Sequence, residues 1–171
     1  MGFFDKLLGN RKIVLYSPVK GTLTDITKVS DETFAQKMLG DGIAVIPSDG
    51  KICAPCDGSI DNMFETGHAF SLVSEDGAEI LTHVGFDTVE LKGEHFTVHK
   101  KSGEKVKKGD LMVEADIEAI AKAHYDTTVV MVILNTDEYS GFDKKEGETG
   151  AGDEVLILTK NKDIYSEPSG F

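Results

Sequence analysis

From Ile13 onward the chain is a succession of short apolar runs, each cut off by Gly, Pro, Asp or Asn. The runs are Ile13–Tyr16, Ile43–Ile46, Lys51–Ala54, Ser59–Phe64, Ala69–Ser74, Ala78–His83, Leu111–Ala115, Thr128–Leu134 and Glu154–Thr159. Their length, their β-branched and aromatic content and their turn punctuation read as strands. A turn of helix is expected near Asp31–Gln36 and a stronger one at Asp116–His124. Asp116 can cap the second, with Ile117, Ile120 and Ala121 facing inward. Many short strands with regular turns predict an all-β antiparallel sandwich or barrel carrying short helical turns. At 171 residues the chain suits one domain. That domain is expected over 13–160, between a short amphipathic or flexible tail at 1–12 and a flexible, polar, turn-rich tail at 161–171.

One element recurs. S-G-E-K-V-K-K-G-D-L at Ser102–Leu111 places glycines around a valine and follows them with Asp110, and G-A-G-D-E-V-L at Gly150–Leu156 ends similarly. Glycine there allows a tight turn or bulge. The first form resembles the hairpin of biotinyl and lipoyl carriers. Those carriers present a modified lysine in an M-K-M or D-K-A turn, which is missing here, so the likeness is at most a scaffold device.

The net charge of -12 argues against nucleic-acid binding, which needs a basic patch to neutralise phosphates. It suits a soluble protein that meets basic partners. No apolar run approaches the roughly 18 residues that span a membrane. The Met1-Gly-Phe-Phe start lacks the long apolar stretch and cleavage site of a secretory signal, so a cytoplasmic location is expected. Phe3, Phe4, Leu7 and Leu8 share one face of a short helix, with Lys6, Arg11 and Lys12 on or near the other. Such a piece either settles on an anionic membrane or stays a frayed tail. The two cysteines, spaced C-A-P-C at Cys53 and Cys56, fall between strand and bend rather than at a helix start. They read as small, partly buried residues without a redox role.

The informative stretch runs from Phe64 to Asp87, where two strand-like runs flank S-E-D-G. With Glu75 and Asp76 as a two-residue loop, His68 and His83 fall directly opposite one another. With Asp76 and Gly77 as the loop they are diagonal neighbours on one face. A one-residue slip would send them to opposite faces. Two adjacent neutral imidazoles can do phosphoryl chemistry. One nitrogen with a lone pair attacks phosphorus, its ring proton being held by a carbonyl or carboxylate. The other ring donates to the phosphoryl oxygens as charge collects there. Phe64, Phe70, Leu81 and Phe86 could keep water off the product. Two histidines are also half of a tetrahedral zinc set.

L-T-H-V-G-F-D-T-V-E-L-K-G-E-H-F, from Leu81 to Phe96, resembles the active-site signature of the glucose-family EIIA proteins of the sugar phosphotransferase system. The resemblance extends to F-A-Q-K-M-L-G-D-G-I-A-V-I-P, A-P-C-D-G-S-I, F-E-T-G-H-A-F, G-E-K-V-K-K-G-D and V-V-M-V-I-L-N-T-D-E, roughly Ile13 to Lys160. It implies an antiparallel β-sandwich of the duplicated hybrid type. It implies that His83 takes a phosphoryl group from the phosphohistidine of HPr and passes it to a cysteine of an EIIB domain, with sugar uptake as the outcome. His68 then stabilises the transferring group, Thr66 orients the site, and the Gly85 carbonyl holds the ring proton of His83. Asp87 orients an imidazole or meets a partner's basic group. Ile43, Val45, Phe64, Leu81 and Phe86 are nominated as the docking face. No cofactor is required, although such a pair can capture zinc at His68 and His83 when a partner supplies a carboxylate. Membrane contact then comes through the permease or weakly through the tail, and Met1 favours a free-standing subunit. Cysteines stand in C-A-P-C where the family often has small or apolar residues, and His95 where it often has Gly. His95, His99 and His124 match no motif and read as surface or structural.

Two other readings compete. In a zinc metallopeptidase, His83 and Asp87 would form H-x-x-x-D, but the H-x-H that supplies the remaining ligand does not occur. A regulatory module that binds target proteins is compatible with the carrier, because phosphorylation changes the local charge by about -1.5 to -2.

Overall fold

The computed structural model describes residues 11–161; of the tails expected at 1–12 and 161–171, residues 1–10 and 162–171 lie outside the described residues, while Arg11 and Lys12 belong to the first strand. The strands are β1 (Arg11–Tyr16), β2 (Gly21–Thr24), β3 (Gly42–Pro47), β4 (Lys51–Cys53), β5 (Gly58–Met63), β6 (Ala69–Ser74) and β7 (Glu79–Val84). They continue as β8 (Phe96–Val98), β9 (Lys105–Val106), β10 (Leu111–Ala115), β11 (Val129–Ile133), β12 (Tyr139–Lys144), β13 (Gly147–Thr149) and β14 (Glu154–Lys160). Two short helices, α1 (Glu32–Ala35) and α2 (Ile117–Lys122), interrupt them. Every pairing between strands is antiparallel. The large sheet runs β13-β2-β3-β11-β7-β6-β5-β9, and two three-stranded sheets, β1-β14-β12 and β4-β10-β8, complete an antiparallel β-sandwich.

The middle of the large sheet is buried on both faces, which explains the unbroken apolar run of β11. Val129, Met131 and Ile133 face the main core between the sheets. Val130 and Val132 face a smaller cluster with Ile26, Phe34, Ala44 and Phe86. That second cluster is the floor beneath His83, which pairs with Val130 across the ladder.

Both helices start where their acids predict. Asp31 accepts from the Thr33 and Phe34 amides, and Asp116 accepts from Ala119. Ile120 is buried and Ile117 packs on the core, but Ala121 is exposed, because a six-residue helix leaves only a narrow inward stripe. The glycine-acid element repeats three times rather than twice. Gly103, Gly109 and Gly152 have φ of 90°, 89° and 89°. The following Glu104, Asp110 and Asp153 each accept from the amide three residues back, at 2.7, 2.9 and 2.8 Å. Glycine is needed there because other residues resist that left-handed backbone.

Residue alternation on β3 corrects part of the expected docking face. Ile43 and Val45 point into the main core, 3% and 0% exposed, so they are packing residues and not a surface. Their neighbours Ala44 and Ile46 turn the other way, and Ile46 is 53% exposed. Ile43→Ala should therefore lower the unfolding free energy by about 2–5 kcal/mol, while Ile46→Ala changes it by roughly 0.5 kcal/mol or less, both read from urea midpoints.

Candidate functional site

The β6–β7 hairpin adopts the register in which His68 and His83 do not pair. Ser74 faces Ala78 across a three-residue loop, Glu75–Gly77, with Gly77 at φ 95°. Ala69, not His68, stands opposite His83. A three-residue loop ending in a left-handed glycine is a common hairpin connection, and Gly77 supplies that conformation here. Strand alternation alone would then turn His68 toward the main core beside Phe70 and Leu72.

The rings meet nonetheless, with centroids 5.2 Å apart and planes at 82°. His68 is the last residue of the β5–β6 loop and lies just outside the ladder. Gly67, at φ 76°, donates to the Phe64 carbonyl (2.9 Å) and reverses the chain there. His68 keeps one bond to the neighbouring strand, from the Val84 amide (2.7 Å), while the Val84 carbonyl accepts from Thr88 (2.6 Å). The loop, rather than the strand, aims the ring.

Hydrogen bonding sets the two tautomers. His83 Nδ1 lies 2.7 Å from the Gly85 carbonyl. A carbonyl only accepts, so Nδ1 carries the proton and Nε2 keeps the lone pair. The carbonyl is aimed by a left-handed turn at Gly85, φ 75°. A side chain at Gly85 would run into Thr88 Cγ2 at 2.5 Å and the Asp126 carbonyl at 2.9 Å, so only glycine fits. His68 Nδ1 meets the Thr66 hydroxyl at 2.5 Å. With that hydroxyl donating, His68 presents an Nε2–H donor.

The surroundings keep both rings neutral. Burial, and then His83 beside it, push His68 down to about 4. Burial also lowers His83, against the opposing pull of the Gly85 carbonyl, Asp31 and Asp87. Phe34 packs on His83 at 5.1 Å, Phe86 on Phe34 at 5.7 Å, and Phe64 edge-on to His68 at 5.2 Å. Phe86 is buried, Leu81 half-buried and Phe64 38% exposed. Asp87 is exposed, and its side chain makes no capping bond, so it reaches His83 by charge only.

The expected Phe70 is fully buried in the main core and forms no wall of the site. Sequence reasoning missed Phe34 and Asp31 beside His83, and the exposed apolar side chains of Met38, Leu39 and Val89 (69%, 43% and 51% exposed), which stand in the segments that follow α1 and Asp87 in the chain. The signal for Met38 and Leu39 was an apolar pair immediately before the Gly40–Gly42 turn. The surface clefts of about 530 and 540 Å³ include neither histidine. Cys53 and Cys56 are buried and free, and burial pushes the Cys56 thiol up to about 12. His99 pairs with Glu114 at 2.8 Å on the surface.

A β-sandwich presenting two neutral, oriented imidazoles in an aromatic collar defines a class of protein built for group transfer at an open face. A profile of the family "phosphoenolpyruvate-dependent sugar phosphotransferase system, EIIA 1" matches residues 13–139, and the chain belongs to that family. It is 42% identical over 165 residues to the glucose-specific EIIA component of Haemophilus influenzae, covering 94% of this chain and 99% of that one. It is 42% identical over 152 residues to the beta-glucoside-specific EIIBCA component of Bacillus subtilis, covering 88% of this chain and 25% of the longer relative. The solved structure of glucose permease IIA from Mycoplasma capricolum superposes with a TM-score of 0.82 at 33% identity, over 92% of this chain and 99% of that one. The chain is thus a sugar phosphotransferase-system protein with the sandwich fold of its relatives.

The neutral pair has a thermodynamic signature. His68 charges near its ordinary 6.5 when unfolded but only near 4 when folded. The unfolded state therefore binds more protons between those values, and stability falls as pH drops through that window. Asp41 and Asp126, and the exposed Glu138, are also held low, and their contributions begin to fade as pH nears their ordinary values of 3.8 and 4.5, so the part of the loss that is due to the histidine is the part removed by His68→Gln. Urea unfolding at pH 7 and pH 4.5 should show a loss of order 1–3 kcal/mol that shrinks in His68→Gln.

Proposed function

We propose that His83 is a phosphoryl carrier, taking the group from the phosphohistidine of HPr and handing it to a cysteine of an EIIB domain. The single observation that carries this reading is the 2.7 Å contact between His83 Nδ1 and the Gly85 carbonyl, which leaves Nε2 as the free nucleophile. In the first step Nε2 attacks phosphorus, the P–N bond to HPr breaks, and the electron pair returns to the donor imidazole. The Gly85 carbonyl stays bonded to Nδ1–H while the ring carries the group. His68 Nε2–H, oriented by Thr66, donates to the phosphoryl oxygens as charge builds on them. In the second step an EIIB thiolate attacks, the P–Nε2 bond breaks and a P–S bond forms.

The exposed apolar side chains support docking by proteins rather than capture of a small molecule. Phe64, Leu81, Met38, Leu39 and Val89 offer apolar contact, and Asp31 and Asp87 bring negative charge toward a partner's basic group. The occurrence of a related segment within a beta-glucoside-specific EIIBCA component supports EIIB as the acceptor. The reading places the protein in the cytoplasm, and no helix among the described residues is long and apolar enough to cross a membrane. Target proteins that sense the charge on His83 fit the same face. A zinc ion would find two imidazoles here and no third His, Cys, Asp or Glu grouped with them among the described residues. Zinc binding would need a ligand from a partner, and transfer as described uses none.

Incubation with phosphoenolpyruvate, enzyme I and HPr, followed by intact mass at neutral pH, tests the reading. One phosphate of about 80 Da should be gained by the wild type and by His68→Gln, and lost in His83→Ala. Labelling that persists without His83, or that fails in the wild type, would refute it.

A further inference from the structure

His83 is held from two sides, and both lead to one residue, Asp126, that no motif of the sequence analysis includes. On one side the Gly85 carbonyl takes the ring proton, and the Gly85 and Phe86 amides donate to the carbonyls of Thr128 (2.9 Å) and Asp126 (3.0 Å). On the other side Phe34 of α1 packs on the ring, and Asp31, the cap of α1, faces it by charge. Ser30 immediately precedes that cap. Its hydroxyl donates to Asp126 Oδ2 at 2.8 Å, across 96 residues of sequence. Asp126 Oδ1 accepts from the Thr128 amide (2.9 Å) and hydroxyl (2.7 Å).

We propose that Asp126 is a positioning residue for His83, its carboxylate latching α1 to the backbone segment that fixes Gly85. The inference rests on reading His83 as the phosphoryl acceptor. α1 is only Glu32–Ala35, too short to hold its place by its own hydrogen bonds. Its position depends on the packing of Phe34 in the small cluster and on this solvent-facing bond. Burial alone would raise the Asp126 carboxyl, but the bonds from Thr128 and Ser30 hold it low, so at neutral pH the latch is charge-assisted. Releasing it lets Phe34 and Asp31 move relative to a nucleophile whose in-line geometry tolerates little displacement. Asp126 touches neither imidazole and takes no part in bond making.

Initial rates of phosphoryl transfer from phospho-HPr should be measured for the wild type, Ser30→Ala, Asp126→Ala, the double variant and Ser30→Thr, with Tm alongside. Each alanine variant should lose about 3–10-fold in kcat with KM within about twofold. The double variant should be no slower than the worse single, because both remove one latch. Ser30→Thr, which keeps the hydroxyl, should recover most of the rate. Should Asp126→Ala fail to fold, Ser30→Ala decides, since it leaves the Asp126–Thr128 bonds in place. Unchanged kcat, losses that multiply in the double variant, or a rise in KM alone would overturn the latch while leaving the carrier reading intact. A wild type that accepts no phosphate would overturn both.

Discussion

The bond from His83 Nδ1–H to the Gly85 carbonyl is the constraint on which the rest of the site depends. It decides which nitrogen can attack, and it exists only because the backbone turns left-handed at Gly85. That turn in turn requires the close approach of Thr88 and the Asp126 carbonyl, which excludes any β-carbon. A histidine with neither that bond nor burial would share its proton between two nitrogens and be partly charged at neutral pH. Here the ring is neutral, oriented and open at one nitrogen.

The fold supplies that geometry by burying the centre of one large sheet twice. The main core fixes β3, β11 and β7 from below. The small cluster of Phe34, Phe86, Ala44, Val130 and Val132 packs against their outer face and carries α1 beside His83. His68 comes from a loop at the same edge. His83 is half-buried with one ring nitrogen held by Gly85 and the other left free, and on the proposed reading that suits a group received from one protein and surrendered to another. The exposed apolar and acidic side chains serve brief docking, with a rigid sandwich behind them.

Much of this was legible in the residues. β6 and β10 begin and end where the apolar runs do, and β3, β7, β11 and β14 within a residue or so of them. β2, β8, β9, β12 and β13 were not, because they are short or mix exposed polar residues with half-buried ones, as in Tyr139–Lys144. Of the three registers left open by the residues, the hairpin takes the one-residue slip, because Gly77 serves a three-residue loop. The histidines meet anyway, since the turn at Gly67 takes His68 out of the strand alternation on which the register argument relied. Ile43 and Val45 looked like surface because β3 is apolar on both faces, and such a run does not say which residues look outward. Phe34 and the Ser30–Asp126 bond were invisible for a plainer reason, as they join segments far apart in sequence. The N-terminal amphipathic stretch lies outside the described residues, so its membrane reading has no structural counterpart here.

The most direct test of the central claim is which nitrogen of His83 carries the phosphate. ¹⁵N and ³¹P NMR of the protein phosphorylated by phospho-HPr, with imidazole nitrogens labelled, would read it. The account predicts a phosphate on Nε2 and a proton retained on Nδ1, still bonded to Gly85. A phosphate on Nδ1, or on any residue other than His83, would contradict it.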